Sequence, residues 1–298
     1  PSYRLKDTCT VWRILSMPRS SPPGPVPQPA PMAGAGLNDD PAVLPEDLNG
    51  VAAHVAPNAA LAPGPPTSPT TTTRLVLVRH GETAWNLEGR MQGQTDTALN
   101  ETGRRQAANV AEVLQRAGVT SCVEAVVSSD LARARETAEA IAGMCPGAQR
   151  AEDPGLREFH AGSLQGLLQS EVGQLRSKVS RAWSRGDLGA AYPGPGGESP
   201  AAVIGRGLGA LRCAARLGSC VVVVSHGGLI KWCAMAIELG TECPAEDMMQ
   251  SRRAQEMLKS AMSNCCCSTV LYDHQSGSFS AERWFDAFGA SGGLRDTG

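Results

Sequence analysis

Residues 75–83 of this 298-residue chain read Leu-Val-Leu-Val-Arg-His-Gly-Glu-Thr. Four consecutive apolar residues, two of them β-branched, are typical of a strand that is buried on both faces of a parallel sheet. The polar side chains that follow directly, Arg79 and His80, are then expected at the carboxyl end of that strand. Because ligands of open parallel sheets bind outside the carboxyl ends of the strands, this stretch predicts both a fold class and the position of a site.

The chain downstream alternates between strand-like and helix-like segments. Short apolar runs predict strands over 75–78, 123–127 and 221–224, with closing strands over 268–272 and 279–284. Apolar residues at helical spacing predict helices over 104–117, 131–144 and 229–239. Proline and glycine predict a loop over 190–200. We therefore expect an α/β fold, a three-layer sandwich with a mostly parallel central sheet and helices on both faces.

Composition excludes several classes of protein. A formal net charge of −2 and a pI near 6.3 argue against a nucleic-acid partner, because phosphate backbones require a basic face. No run of 18 apolar residues occurs, so no membrane span and no membrane partner are predicted. The ten cysteines lack the paired spacing of zinc sites. The run Cys265–Cys267 would alternate between the two faces of a strand, so we expect it to pack in the core rather than to bind a metal.

The N-terminal quarter differs from the rest of the chain. Of the 21 prolines, 15 lie within residues 1–73. We therefore expect residues 1–72 to be a disordered Pro/Ala-rich extension, 73–288 to be the folded domain and 289–298 to be a flexible tail. The extension has no acidic residue between Thr8 and Asn38, which is compatible with a leader or transit segment. We expect a cytoplasmic protein, with a plastid or mitochondrial address as the alternative.

Chemistry-bearing residues follow three of the predicted strands. The first strand ends in Arg79 and His80, Arg133 lies just beyond the second, and His226 follows the third. Both histidines precede glycine, which lets a ligand approach the backbone, and the helices that follow offer free N–H groups to an anion. Arginine supplies a planar fork that matches phosphate oxygens. These residues predict an anion pocket for a phosphoryl group, with a histidine as nucleophile.

Three motifs together resemble a known family. Residues 79–86 read Arg-His-Gly-Glu-Thr-Ala-Trp-Asn, 128–138 read Ser-Ser-Asp-Leu-Ala-Arg-Ala-Arg-Glu-Thr-Ala, and 225–228 read Ser-His-Gly-Gly. In order and spacing they resemble the signatures of the histidine phosphatase superfamily, in its phosphoglycerate mutase-like branch. The resemblance covers residues 73–285 and implies the three-layer α/β fold expected above.

The resemblance implies a role for each matching residue. His80 resembles the nucleophile that becomes phosphohistidine, Glu158 the general acid and base, and His226 the second histidine that hydrogen-bonds the transferring group. Arg79 and Arg133 resemble the guanidinium pair on the phosphate. The remaining residues implied for substrate or phosphate binding are Asn86, Gln92, Gly93 and Gly227. No metal and no cofactor is implied, and Asp130 is the next candidate for the acid if Glu158 does not serve.

Three functions compete on this resemblance: a phosphomonoester hydrolase, a mutase of the phosphoglycerate type, and a non-catalytic module that binds phosphorylated ligands. The non-catalytic reading is disfavoured because all five implied catalytic residues are present. Mutases of the family have a longer insert than the 68 positions from Glu158 to His226, and they place arginine where Phe159 stands. Residues 160–177 contain Arg176 as their one basic residue. We therefore expect an open, sparsely basic pocket, which favours water as the acceptor.

We therefore favour a phosphomonoester hydrolase that acts on a small phosphorylated metabolite. The segment 162–166 reads Gly-Ser-Leu-Gln-Gly where phosphatases of the family often have Gly-x-Trp-Glu-Gly. This departure concerns substrate preference, since Glu158 is retained. The sequence leaves the identity of the substrate and the oligomeric state open.

Overall fold

The computed structural model describes residues 71–286. The predicted tail over 289–298 and nearly all of the predicted extension over 1–72 lie outside the described residues. The described part begins with a strand at Thr72, one residue before the predicted start of the domain.

Six strands form one mixed sheet in the order β3-β2-β4-β1-β5-β6. Their bounds are β1 Thr72–Arg79, β2 Ala125–Ser128, β3 Gln149–Glu152, β4 Cys220–Ser225, β5 Cys267–Asp273 and β6 Ser278–Asp286. The first four strands in the sheet order run parallel, whereas β5 pairs antiparallel with β1 and β6 antiparallel with β5. The predicted closing strands therefore exist and extend one edge of a parallel sheet.

The helices alternate with the strands along most of the chain. Their bounds are α1 Ala84–Leu87, α2 Glu101–Arg116, α3 Ala132–Gly143, α4 Gly173–Ser184, α5 Pro200–Ala214, α6 Gly227–Glu238, α7 Ala245–Gln250 and α8 Arg252–Lys259. The three predicted helices are α2, α3 and α6, and α2 begins earlier than predicted because the Asn100 side chain accepts the N–H of Gly103 at 2.7 Å. In residues 71–286, no helix is both long and apolar enough to cross a membrane.

Alternate residues of the central strands pack against different helices. Val76, Val78, Val222 and Val224 join the apolar residues of α2 and α3 in one core cluster. The intervening residues of the same strands, such as Leu75, join α5 and α6 in the other. This period of two, with both faces covered, gives the three layers that the uninterrupted apolar runs predicted.

The cysteine run follows the same alternation. Cys266 packs in the cluster on the α5–α6 side, whereas Cys265 and Cys267 pack on the α2–α3 side. Neighbouring cysteines therefore pack on opposite sides of the sheet, as predicted, although Cys265 and Cys266 precede the strand, which begins at Cys267. The predicted loop over 190–200 is also found, and it ends at Ser199, which caps α5 with its side chain.

Candidate active site

Parallel pairing of β1 with β4 brings the two motif histidines together. Arg79 lies opposite Ser225 in the register, and the N–H of His80 donates to Ser225 O at 3.0 Å. His80 and His226 are therefore the first residues beyond the two adjacent strand ends, and their ring centroids are 5.1 Å apart. The convergence predicted from the sequence is found at the carboxyl edge of the sheet.

The His80 ring is held in one tautomer. Its Nδ1 lies 2.7 Å from Gly81 O, and because a carbonyl only accepts, Nδ1 must bear the proton. The other nitrogen, Nε2, then has its lone pair free. Burial lowers the pKa of His80 well below its usual value, and the positive charges of Arg133 and Arg79 lower it further. The His80 ring is thus neutral at physiological pH, with an unprotonated Nε2.

His226 is fully buried beside His80, and neither of its ring nitrogens has a hydrogen-bond partner. Burial lowers the pKa of His226, and the charge of Arg133 and the neighbouring His80 ring add to this effect. A buried polar atom without a partner costs stability, and such atoms concentrate at functional sites. The two nitrogens of His226 lie beside the His80 ring, but they are buried, and His226 is not among the residues that line the cavity next to His80.

The two motif arginines are fixed by backbone carbonyls and keep free donors. Arg133 donates to Gly93 O at 2.8 Å and to Thr95 O at 2.9 Å, and Arg79 donates to Met262 O. The Nε atoms of both arginines are buried without a partner. Burial is the main cause that lowers the pKa of Arg133 to about 10, so it stays charged at neutral pH. Two oriented guanidinium groups with free N–H donors have the geometry and charge to bind an anion.

Glu158 lies against the start of α6. Its Oε2 accepts the N–H of Gly228 at 2.9 Å, and its Oε1 accepts the N–H groups of Leu229 and Phe159 at 3.0 Å each. A Cβ on Gly228 would lie 2.5 Å from Glu158 Oε1, so glycine at this position lets the carboxylate reach the helix backbone. This contact places the carboxylate at the wall of the cavity that His80 also lines.

The glycine after His80 serves a different purpose from the one expected. A Cβ on Gly81 would lie 2.5 Å from Gly103 O in α2, so Gly81 permits backbone contact with a helix. The expectation that this glycine lets a ligand approach is therefore wrong. Gly227, in contrast, lines the cavity, and a Cβ there would lie 3.4 Å from Arg79 Nε.

The cavity has a volume of about 400 Å³ and also contains the other implied binding residues. Asn86 Oδ1 accepts the N–H of Thr83 at 3.2 Å, and Gln92 Oε1 accepts Thr83 Oγ1–H at 3.0 Å. Both amide oxygens are thus occupied, which leaves the NH₂ groups as donors for a ligand. Gly93 lies beside them in the cavity wall, with a positive φ of 53°.

Among the cavity residues that the sequence analysis missed, three have long polar or charged side chains: Arg90, Lys231 and Gln169. Arg176 had been noted only as the single basic residue of its segment, and it also lines the cavity. The expectation of a sparsely basic pocket was wrong because Arg90 and Lys231 come from other segments of the chain. The spacing of Lys231, one helical turn after Gly227, was the available signal.

Asp130, the alternative acid, is occupied elsewhere. Its two carboxylate oxygens accept from Arg157 Nε and Nη2 at 2.7 and 2.6 Å, and it is not among the residues that line the cavity. A bidentate ion pair holds this carboxylate in place. The geometry therefore favours Glu158 over Asp130 as the acid.

A neutral histidine with a free nitrogen, flanked by two guanidinium groups at the edge of an α/β sheet, defines a site for phosphoryl transfer. The sequence model of the histidine phosphatase superfamily (branch 1) matches residues 75–286. The chain therefore belongs to this family.

Similar proteins include both phosphatases and mutases. A metal-independent phosphoserine phosphatase of Arabidopsis thaliana is 43% identical over 161 residues, which are 53% of this chain and 66% of the relative. The chain thus spans about two thirds of this plant relative. A probable phosphoglycerate mutase of Cronobacter sakazakii is 36% identical over 71% of this chain and 89% of its own. The solved structure of a mycobacterial glucosyl-3-phosphoglycerate phosphatase in complex with VO3 is 31% identical, with a TM-score of 0.58 over 72% of this chain and 100% of its own.

Proposed function

We propose that this chain is a metal-independent phosphomonoester hydrolase that acts on a small phosphorylated metabolite through phosphohistidine at His80. The observation that supports this most is the His80 ring, whose Nδ1–H is bound to Gly81 O and whose neutral Nε2 is free beside Arg79 and Arg133.

In the first step, His80 Nε2 attacks the phosphorus and the bond from phosphorus to the ester oxygen breaks. The leaving oxygen takes a proton from the protonated carboxyl group of Glu158, because an alcohol leaves far more easily than an alkoxide. The Nδ1–H bond to Gly81 O holds the ring in line and stabilises the positive charge that the phosphorylated ring acquires. Arg79, Arg133 and His226 bind the equatorial oxygens of the transferring group.

In the second step, water attacks the phosphorus of phosphohistidine. Glu158, now a carboxylate, takes a proton from this water, and the bond from phosphorus to Nε2 breaks. Inorganic phosphate leaves, and His80 returns to its neutral form. The charge on the phosphoryl group is balanced throughout by the two guanidinium groups, so positioning and fixed charge supply the catalysis.

Hydrolysis is favoured over the mutase reaction by two features. Phe159 stands where mutases of the family place an arginine, and the chain from Glu158 to His226 is shorter than theirs. The test is a panel of phosphorylated metabolites, including phosphoserine and glucosyl-3-phosphoglycerate, with and without 2,3-bisphosphoglycerate. We expect release of inorganic phosphate that does not require the bisphosphate. Isomerisation of 3-phosphoglycerate that depends on the bisphosphate, without phosphate release, would support the mutase instead.

The non-catalytic alternative is tested by trapping the intermediate. Acid quenching of the wild-type protein during turnover should reveal an acid-labile phosphoenzyme, which His80→Ala should lack. Binding of phosphorylated ligands without turnover or phosphoenzyme would identify a binding module.

The cellular location of the protein is a separate proposal, because nearly all of the extension over 1–72 lies outside the described residues. A fluorescent fusion of residues 1–72 should remain in the cytoplasm if the extension is not an address. Accumulation in plastids or mitochondria would establish the alternative.

A further inference from the structure

The carbonyl group that holds the His80 ring belongs to a peptide unit that is also held at its other end. Gly81 O accepts the His80 Nδ1–H at 2.7 Å. The N–H of the same peptide unit, which belongs to Glu82, donates to Gln106 at 2.9 Å. Because an N–H only donates, the Gln106 atom in this contact is Oε1. Helix α2, which contains Gln106, is therefore linked to the His80 ring through one peptide unit.

The two hydrogen bonds of this peptide unit depend on each other. The unit is trans, like every peptide unit within residues 71–286, so its C=O and N–H bonds point in opposite directions. Its oxygen can face the His80 ring only when its N–H faces away from the ring. Gln106 Oε1 provides the acceptor on that far side, so the same orientation satisfies both ends of the unit.

The preceding peptide unit is fixed by a different helix. The N–H of Gly81 donates to Thr137 Oγ1 at 3.0 Å, and this hydroxyl group donates to Arg133 O at 2.8 Å within α3. The Thr137 side chain is fully buried. The unit between Gly81 and Glu82 is therefore the part of this turn whose orientation depends on Gln106.

Reversal of this peptide unit would change the His80 tautomer. Gly81 has no Cβ, so it tolerates backbone conformations that other residues avoid and offers little resistance to such a rotation. The reversed unit would present the Glu82 N–H to His80 Nδ1 in place of the carbonyl oxygen. Nδ1 would then be the acceptor, and the ring proton would have to lie on Nε2. A protonated Nε2 has no lone pair with which to attack phosphorus.

We propose that Gln106 is a positioning residue that selects the His80 tautomer with a free Nε2, by holding the peptide unit between Gly81 and Glu82. The inference rests on the proposed function, because the tautomer matters for catalysis only if Nε2 is the nucleophile. Gln106 is not among the residues that line the cavity, so its effect reaches the reaction through the backbone. The tautomer can be measured without substrate, so the contact and the function are tested separately.

NMR of protein with isotopically labelled histidine nitrogens reports the tautomer, because protonated and unprotonated ring nitrogens have well-separated chemical shifts. The chain has five histidines, and the spectrum of His80→Gln identifies the His80 signals by their loss. The wild type at neutral pH should have the proton on Nδ1. Gln106→Met keeps a long side chain with good helix propensity but has no comparable acceptor. It should show a population of His80 with the proton on Nε2.

Phosphoryl transfer should slow in proportion to this population. Only the form with a free Nε2 can attack, so the rate constant for phosphoenzyme formation from an aryl phosphate scales with the fraction of that form. We expect Gln106→Met to lower it by about twofold to tenfold, the value of one hydrogen bond between neutral groups. The inhibition constant of inorganic phosphate should change much less, because Arg79 and Arg133 are held by other carbonyl groups.

Three further variants separate this role from general disruption. Gln106→Glu keeps an oxygen that can accept the Glu82 N–H, so it should keep the wild-type tautomer and most of the rate. Gln106→Asn is one CH₂ group shorter and withdraws the acceptor, so it should behave like Gln106→Met. It takes the place of that variant if circular dichroism shows Gln106→Met to be unfolded. Gln115→Met makes the same change at an exposed position of α2 and should resemble the wild type.

The possible failures are distinct from one another. If folded Gln106→Met keeps the proton on Nδ1, the positioning role is wrong, even if the rate falls. A shift of the tautomer in Gln106→Glu as large as in Gln106→Met would also overturn the proposal, because an acceptor is still present. If the proton moves to Nε2 but phosphoenzyme forms at the wild-type rate, Nε2 is not the nucleophile and the proposed function is wrong. If the wild type forms no phosphoenzyme, the proposed function is wrong as well, while the spectra still decide whether Gln106 selects the tautomer.

Discussion

Glu158 is proposed to act in both chemical steps, and its importance should depend on the leaving group. Glu158→Gln should slow hydrolysis of alkyl phosphates on the order of 10²–10⁴-fold, because it removes the proton donor. An aryl phosphate needs little protonation, so phosphoryl transfer to His80 should suffer less. The water step still lacks its base, so phosphohistidine should accumulate.

Rapid mixing of Glu158→Gln with an aryl phosphate should therefore show a burst of phenolate, with acid-labile phosphoenzyme in parallel. Asp130→Asn is the control, because Asp130 is the other carboxylate near this strand end and is paired with Arg157. It should retain ordinary turnover without a burst. Equal losses on alkyl and aryl substrates in Glu158→Gln, with no phosphoenzyme, would assign the proton to another group.

The buried histidines should make folding stability depend on pH. Burial first, and then the nearby arginines, lower the pKa of His80 and His226 well below 6.5 in the folded protein. In the unfolded chain histidine titrates near 6.5, so the unfolded state binds more protons below that pH. The stability that neutral histidine contributes is thus present above pH 6.5 and lost as pH falls, by about 1.4 kcal/mol per pH unit for each histidine.

Urea unfolding of wild type and His226→Gln between pH 7.5 and 5 measures this effect. The free energy of unfolding should fall less steeply with pH below about 6.5 in the variant, because one of the two titrating sites is gone. Carboxylates contribute equally to both proteins, so the difference isolates His226. Parallel slopes would show that the His226 ring becomes charged in the folded protein.

Helix α5 positions the segment that contains Glu158. Arg206 of α5 donates to the carbonyl groups of Gly155, Arg157 and Glu158 at 2.6–2.9 Å. The same guanidinium group forms a bidentate pair with Glu198, at 2.7 and 2.9 Å. Arg206 is therefore a positioning residue that fixes the backbone from which the proposed acid extends.

Arg206→Met should lower kcat on alkyl phosphates, because a displacement of about 1 Å at the acid can cost about 10²-fold. The inhibition constant of inorganic phosphate should change much less, since Arg79 and Arg133 are held by other carbonyls. Arg216→Met, at an exposed arginine just after α5, is the control and should resemble the wild type. Loss of phosphate binding in step with kcat would indicate general disruption instead.

Elements with a clear apolar pattern were predictable, and those without one were not. The runs that became β1 and β4 are buried on both faces, so their sequence alone indicated strands. β3 reads Gln-Arg-Ala-Glu and lies at the sheet edge, where partial exposure removes the apolar signal. The site residues in the three motifs could be predicted because the carboxyl ends of parallel strands lie at the same edge of a sheet. The cavity roles of Arg90 and Lys231 depend on how distant segments pack, which the sequence pattern does not express.

The residues proposed for catalysis all lie within 79–226. The family match likewise covers 75–286. A chain that starts at Thr71 retains β1 and its pairing with β4 and β5, so it should keep the kcat and KM of the full chain. Steady-state kinetics of the two purified proteins on one substrate check this. A folded truncation without activity would show that residues 1–70 contribute to the site.

The positive charge of the arginines in the site bears on whether hydrolysis needs a metal ion. Phosphoryl transfer needs positive charge on the equatorial oxygens, and here Arg79 and Arg133 can supply it. The nucleophile is the neutral Nε2 of His80, so no metal-bound hydroxide is needed for the first step. Hydrolysis should therefore continue at an unchanged rate in excess EDTA, and added magnesium should not stimulate it. The same assay on Arg133→Met should show a loss that magnesium does not restore, because the guanidinium group binds oxygens through directed N–H bonds. Loss of wild-type activity in EDTA with recovery on addition of magnesium or zinc would contradict the proposed mechanism.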